Sequence, residues 1–256
     1  MTSNVAYLDL QDFAPSHDLL HEKTILVTGA GSGIGASTAK AYAAHGATVI
    51  LLGRTLDKLQ HTYDAIVEAG HPEPILMPFD LETSDAEPYH QMAAAIGEQF
   101  GALDGLVHSA AVLGQRTPLS NYNHGAWETV FQINVHGAFH LTKALLPVLE
   151  AAPAPRILFL TSSVGREGRP YWGAYAASKF AVEGMAQVLA GEVVTHPDFC
   201  VNVVNPGRTR TAMRATAYPG EDVMTVPAPE SHNGLMLYLM SSHCAGTNGL
   251  SFDAQK

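Results

Sequence analysis

Cysteine is scarce: two residues, Cys200 and Cys244, in a chain of 256. So few thiols exclude a disulfide scaffold, and neither stands in a C-x-x-C or similar spacing, so both read as inert. Charge is sparse too, with Asp, Glu, Lys and Arg at 15% against about a quarter in an average domain. A disordered chain needs the opposite balance and is excluded. Cations are the scarcer sign: 14 Lys and Arg face 24 Asp and Glu, for a net charge of −10 with His neutral. Without a basic face, neither nucleic acid nor an anionic membrane is an expected partner. No apolar run approaches the roughly 18 residues that cross a bilayer. The first 21 residues contain Asp9, Asp12 and Asp18 but no Lys or Arg, unlike a signal or transit peptide, so a cytoplasmic location is expected. Of 13 histidines, His136 and His140 stand at i, i+4, but no acid lies at ligand spacing, so no metal is expected.

What is present is an alternation. Short β-branched runs over Thr24–Thr28, 47–52, 74–79, 103–108, 156–161 and 200–204 predict strands. Between them, 36–45, Leu56–Glu68, 89–100, 126–149 and 175–195 predict helices. Strand–helix alternation implies parallel strands joined by crossover helices, hence an α/β fold with a doubly wound, mostly parallel sheet. No linker divides the chain. The expectation is an N-terminal extension over 1–21 and a single domain over 22–256, with a substrate loop or lid at 212–230.

Between the first strand and helix lies Gly29-Ala30-Gly31-Ser32-Gly33-Ile34-Gly35. Glycines there permit a tight turn and let backbone N–H groups approach a pyrophosphate, with the positive end of the helix behind them. A loose G-x-G-x-x-A frame runs from Gly31 to Ala36, but the frame that starts at the strand end is Thr28-Gly29-x-x-x-Gly33-x-Gly35. A dinucleotide site predicts a ribose-reading residue at the end of the second strand. That tip is Gly53-Arg54-Thr55, with no carboxylate. A guanidinium pairs with a 2′-phosphate where an acid would repel it, so Arg54, helped by Thr55, favours NADP(H), with NAD(H) possible. Asp80, ending the third strand, could bond an adenine amino group or cap a turn.

Tyr175 and Lys179 stand four residues apart on one predicted helix face. A free tyrosine has a pKa near 10, and a nearby ammonium together with a cationic nicotinamide would favour the phenolate. Thr161-Ser162-Ser163 closes the preceding strand, at the carboxyl edge where such sheets bind ligands. A serine hydroxyl there can donate to a carbonyl oxygen while the tyrosine moves a proton.

With these residues in order, together with Asn134 and Asn205-Pro206-Gly207 followed by Thr211, the chain resembles the short-chain dehydrogenase/reductase family from about residue 22 to 253. The resemblance implies a single-domain Rossmann fold and an oxidoreductase interconverting a carbonyl compound and its alcohol. Ser162 would polarise the carbonyl, and Tyr175 would serve as general acid in reduction and base in oxidation. Lys179 would lower the tyrosine pKa and hold the nicotinamide ribose. Asn134 would stabilise a kink in the long helix and position a water. The thirteen-residue spacing to Tyr175 selects Ser162 over Ser163. Cofactor contacts would come from Gly29, Ser32, Gly33, Ile34 and Gly35; from Arg54, Thr55, Asp80 and Leu81; from Ser109 and Ala110; from Tyr175 and Lys179; and from Pro206, Gly207, Thr209 and Thr211.

The chain departs from the family where Asn-Asn-Ala-Gly usually follows the fourth strand: it has His108-Ser109-Ala110-Ala111, and Ala111 adds a Cβ near the cofactor. In the lid, Met213, Met224 and Val226 suggest an apolar inner face, and Arg210 and Arg214 could meet a charged group. Trp127, Tyr171 and Trp172 read as cleft or packing aromatics, and Arg166 and Arg169 as substrate-attracting or solvated. The family implies a homodimer or homotetramer, with Ala181 and Gly184 allowing close helix approach. Two rival readings keep the fold: a non-catalytic dinucleotide sensor, disfavoured by the intact Ser162, Tyr175 and Lys179, and a cofactor-free lyase, disfavoured by Lys179 and the glycine loop.

Overall fold

In the computed structural model, which describes residues 5–255, eight parallel strands form one sheet. They are β1 (Val5–Ala6), β2 (Thr24–Thr28), β3 (Thr48–Gly53), β4 (Ile75–Pro78), β5 (Gly105–His108), β6 (Arg156–Leu160), β7 (Cys200–Asn205) and β8 (Ser251–Asp253). The helices are α1 (Gly33–Ala44), α2 (Leu56–Glu68), α3 (Glu87–Phe100), α4 (His124–Phe131), α5 (Ala138–Glu150), α6 (Gly173–Glu192), α7 (Ala212–Ala217) and α8 (Asn233–Met240). The spatial order is β1-β8-β7-β6-β5-β2-β3-β4. The chain therefore leaves β2 in one direction and later returns to its other side as β5. Such a reversal opens a crevice at the carboxyl ends of the two strands.

Alternate residues of the strands feed two cores, as the period of two requires. Leu26, Ile50 and Leu52 join Tyr89, Leu141, Leu145 and Val182 on one face. Ile25, Val27, Val49 and Leu51 join Tyr42, Leu59, Met236 and Leu239 on the other. Burial on both faces explains why these strands read as unbroken apolar runs.

Residues 5–21 pack onto the domain rather than project from it. Val5 and Ala6 pair with Ser251 and Phe252, and Leu20 is buried. Neither β8, only three residues long, nor α8, whose sequence NGLMLYLM is apolar on nearly every side, carries a periodic signal. The helix expected over 126–149 is not continuous: a π-helical segment, Gln132–Gly137, separates α4 from α5. The segment brings Gly137 against the Leu81 carbonyl, where a Cβ would lie 2.7 Å from its oxygen. The helix expected over 175–195 starts two residues earlier and ends in a 3₁₀ turn, Val193–Thr195.

Candidate active site

The carboxyl ends of β2, β3, β5, β6 and β7 open into a cleft of about 1060 Å³. At its near wall, Gly29 and Gly33 adopt positive φ, +67° and +56°, which a side chain would strain. Ser32 stands at the N-cap of α1, but its side chain accepts no backbone N–H, and the first turn contains no acid. The first turn of α1 thus supplies no counter-charge to the positive end of the helix. Thr28 does more than end the motif's strand: its Oγ1 accepts from the N–H groups of Ser109 and Ala110, both at 3.0 Å. That pair of bonds locks the loop after β5 against the glycine turn.

Ser32, Ile34, Arg54, Thr55, Asp80, Leu81, Ser109, Ala110, Pro206 and Thr211 all line the cleft with Gly29 and Gly33. Arg54 is largely exposed, with Glu82 3.9 Å away. Lys40 and Lys58, which sequence reasoning passed over, line the cleft too. Lys58 follows Arg54 by four residues and its Cβ lies against Gly31, so this second cation flanks the glycine turn. Asp80 lines the cleft while its Oδ1 accepts from the Glu82 N–H at 3.0 Å, capping a turn.

Three expected cofactor contacts, Gly35, Gly207 and Thr209, lie outside the cleft lining, and a fourth, Thr211, lines it with its hydroxyl engaged elsewhere. Gly35 does not line the cleft; its Cα faces the Gly29 carbonyl, where a Cβ would fall 2.4 Å from the oxygen. Gly207, at φ +69°, packs against Gln255 instead. Thr209 is buried with its hydroxyl 2.7 Å from His232 Nε2. The Thr211 hydroxyl caps α7 by accepting from Arg214 N–H at 3.1 Å, so its cleft-facing part is chiefly the methyl group that touches Gly33.

Tyr175 and Lys179 project from α6 into the cleft. Ser162, at the end of β6, hydrogen-bonds the Tyr175 hydroxyl, whereas Ser163 opens a 3₁₀ turn. Burial pushes the Tyr175 phenol up to about 12, and the Ser162 bond only partly offsets it. The expected lowering by Lys179 is not seen. The ammonium sits 5.7 Å from the ring centroid and donates to the Leu160 carbonyl at 2.7 Å. Desolvation brings Lys179 itself down to about 8, with Glu183 opposing.

Asn134 lies in the π-helical segment, and its side chain bridges two elements. Oδ1 accepts from Val112 N–H at 2.8 Å, while Nδ2 donates to the Val112 carbonyl and to Ser178 Oγ, both at 3.0 Å. Ser178 in turn donates to the Tyr175 carbonyl at 2.8 Å. His108 is stacked on Phe159 at 4.6 Å and bonded to Thr142. Burial, then Lys179, brings its pKa down to about 3, so the ring is a neutral packing group. Ala111 lines the cleft and lacks positive φ, so alanine is conformationally at ease there.

Several bystanders resolve. Trp172 packs 5.8 Å from Tyr175, but Trp127 packs on Tyr122 and Phe131. Tyr171 is exposed. In the lid region, Met213 lines the cleft, Val226 is buried and Met224 points to solvent. Arg214 is held by Glu221 through two 2.6 Å bonds, leaving Arg210 as the lid arginine that lines the cleft. Arg166 is neither solvated nor in the cleft; it is tied to Glu183 and Asp253.

A family model for the short chain dehydrogenases matches residues 23–222. The chain belongs to that family. An uncharacterised oxidoreductase of Escherichia coli K12, YciK, is 46% identical over 95% of this chain and 96% of its own length. A short chain dehydrogenase of Shigella flexneri, solved with NADP, superposes with a TM-score of 0.92 at 47% identity, covering 94% of this chain and all of the other. One from Escherichia coli CFT073, solved with NADPH, gives 0.92 at 46% over the same shares. This short chain dehydrogenase has the Rossmann fold of its relatives and is an oxidoreductase. Among the described residues, no helix is long and apolar enough to cross a membrane.

Proposed function

We propose that this short chain dehydrogenase interconverts a carbonyl compound and its alcohol with NADP(H) as preferred cofactor, acting in the cytoplasm. The observation that carries the reading is that Tyr175, hydrogen-bonded by Ser162, and Lys179 line the same cleft as the glycine turn and Arg54. The cradle fits a dinucleotide. Positive-φ glycines and a helix start with no acid in its first turn suit a pyrophosphate, and Arg54 and Lys58 suit a further phosphate. The relatives solved with NADP and NADPH support the same cofactor. Bound there, the cofactor supplies or accepts hydride.

The chain's own residues handle the oxygen and the proton. Ser162 donates to the developing oxyanion, and Tyr175, a neutral phenol in the free chain, delivers its proton to that oxygen in reduction. Lys179 would hold the ribose hydroxyls of the bound cofactor. Asn134 ties the π-helical segment to α6 through Ser178 and so fixes the height of Tyr175 in the cleft.

Titration with NADPH and NADH in parallel tests the cofactor assignment. Arg54→Ala lowers NADPH affinity by about 10- to 100-fold, the worth of one or two charge-assisted bonds, and leaves NADH affinity unchanged. Equal losses for both cofactors would remove Arg54 from the phosphate site.

A second copy of the chain is the partner this reading supplies. Phe139 on α5 and Phe180 and Val188 on α6 are 46%, 46% and 61% exposed, and nothing approaches a Cβ at the neighbouring Gly184. Light scattering after gel filtration is expected to show a dimer or tetramer, and Phe180→Glu to shift it towards monomer. A monomeric parent protein would overturn the assignment.

A further inference from the structure

Tyr175, Lys179 and Glu183 succeed one another at i, i+4 and i+8 on α6, on one face of the helix. Lys179 and Glu183 are 4% and 8% exposed. A buried carboxylate needs partners, and Glu183 has two: Arg166 Nε donates to Oε1 at 3.1 Å and Ser251 Oγ at 3.2 Å. Arg166 also donates through Nη1 to Asp253 Oδ1 at 2.7 Å and through Nη2 to Ser251 Oγ at 2.5 Å. Asn205 Nδ2 completes the set, donating to Asp253 at 2.8 Å. The network thus fastens β7, β8 and the loop after β6 to the helix bearing the tyrosine and lysine.

Its charge does not cancel. Two carboxylates against one guanidinium leave one net negative charge, placed one helical turn beyond the Lys179 ammonium. Lys179 has no carboxylate within 4 Å among the described residues, and its Nζ donates to a neutral carbonyl. The other groups that face it contribute no negative charge. Tyr175 on the same helix is a neutral phenol, and His108 from β5 is a neutral imidazole. Gly165 brings only backbone against the Lys179 Cβ.

We propose that Glu183, anchored by Arg166, is a positioning residue whose carboxylate keeps the buried Lys179 in its charged, cofactor-holding form. The proposal rests on the reductase reading above. It also gives Arg166 a place in the chemistry without any contact to substrate, and it makes the C-terminal strand β8 a support for the reacting end of the cleft through Ser251 and Asp253. Burial alone would drive the ammonium towards its neutral form, and Glu183 is the group that opposes this.

The test is the pH dependence of NADPH affinity, measured by calorimetric titration of the full chain. In the parent protein, affinity falls as pH rises through about 8, where Lys179 loses its proton. Glu183→Gln moves that inflection down by about one unit, so affinity drops by nearly tenfold at about pH 8.5 and matches the parent at about pH 6. Glu183→Asp keeps the charge and restores most of the inflection. Asp253→Asn, which removes one charge of the same network without touching α6, shifts it in the same direction by less, and serves should Glu183→Gln fold poorly. An equal loss at every pH, or an inflection that does not move, assigns Glu183 a purely structural role and overturns the proposal. A parent protein that binds no NADPH at any pH overturns the reductase reading itself.

Discussion

Phenylalanine in place of Tyr175 lowers carbonyl reduction by about 100- to 10,000-fold, the usual worth of a positioned general acid, with NADPH affinity changed little. The substitution removes one oxygen and preserves the ring that packs 5.8 Å from Trp172 in the buried cluster with Leu113 and Val164. Volume-conserving changes of this kind cost little stability. What disappears is the phenolic hydroxyl that Ser162 hydrogen-bonds. The phenol is held up to about 12 by burial, so in the free chain its proton is bound throughout the neutral range. Reduction therefore starts from the form that donates. Oxidation needs the phenolate, and the free chain disfavours that form. Steady-state turnover alongside NADPH titration checks this. A Tyr175→Phe protein that kept most of its turnover, with binding intact, would sink the proton-transfer role.

The parts of the site that sequence reasoning found are those carried by local spacing. The glycine turn, Arg54 immediately after β3, and the Tyr175–Lys179 pair each declare themselves within a few residues, because turn geometry and helical periodicity are short-range. What was missed depends on distant partners. Arg166 reads from sequence as substrate-attracting or solvated, but its carboxylates lie 17 and 87 residues further along the chain. Thr209 sits beside the cofactor turn in sequence, but its hydroxyl is taken by a histidine 23 residues on. His108 stands where the family usually has asparagine, and only the pairing of β5 with β6 reveals that Phe159 stacks on it. Lys58 carried a usable signal, the i, i+4 spacing from Arg54 across the start of α2, but its approach to Gly31 needs the packed α1–α2 pair. The role of residues 5–21 was illegible for the same reason: a two-residue edge strand has meaning only once β8 is in place beside it.

Alanine at Gly35 is expected to cost about 2 kcal/mol, within the range of overpacking in a closed core, and to reduce NADPH affinity by about 100-fold. The added Cβ would fall 2.4 Å from the Gly29 oxygen, 2.8 Å from its carbonyl carbon and 3.1 Å from the Thr28 oxygen. All three are backbone atoms, so no side chain can swing aside. Gly29 cannot retreat either: it is at φ +67° and backs onto Ala110, where its own Cβ position lies only 3.0 Å from main-chain atoms. Ala110 is in turn pinned through its N–H to Thr28 Oγ1. Any relief must move the start of α1 away from β2, and with it the N–H groups and helix end that would meet the pyrophosphate. For a chain of this size the stability loss corresponds to a melting temperature lower by about 4–8 °C. Gly191→Ala on α6 is the matched control, since nothing lies within 4 Å of its Cβ position, and alanine in a helix is favoured by up to about 1 kcal/mol. Melting curves for the two variants with and without NADPH separate the possibilities. A Gly35→Ala protein that melts with the parent and responds to NADPH as the parent does would mean that the turn yields at no cost, and that the dinucleotide cradle does not depend on this contact.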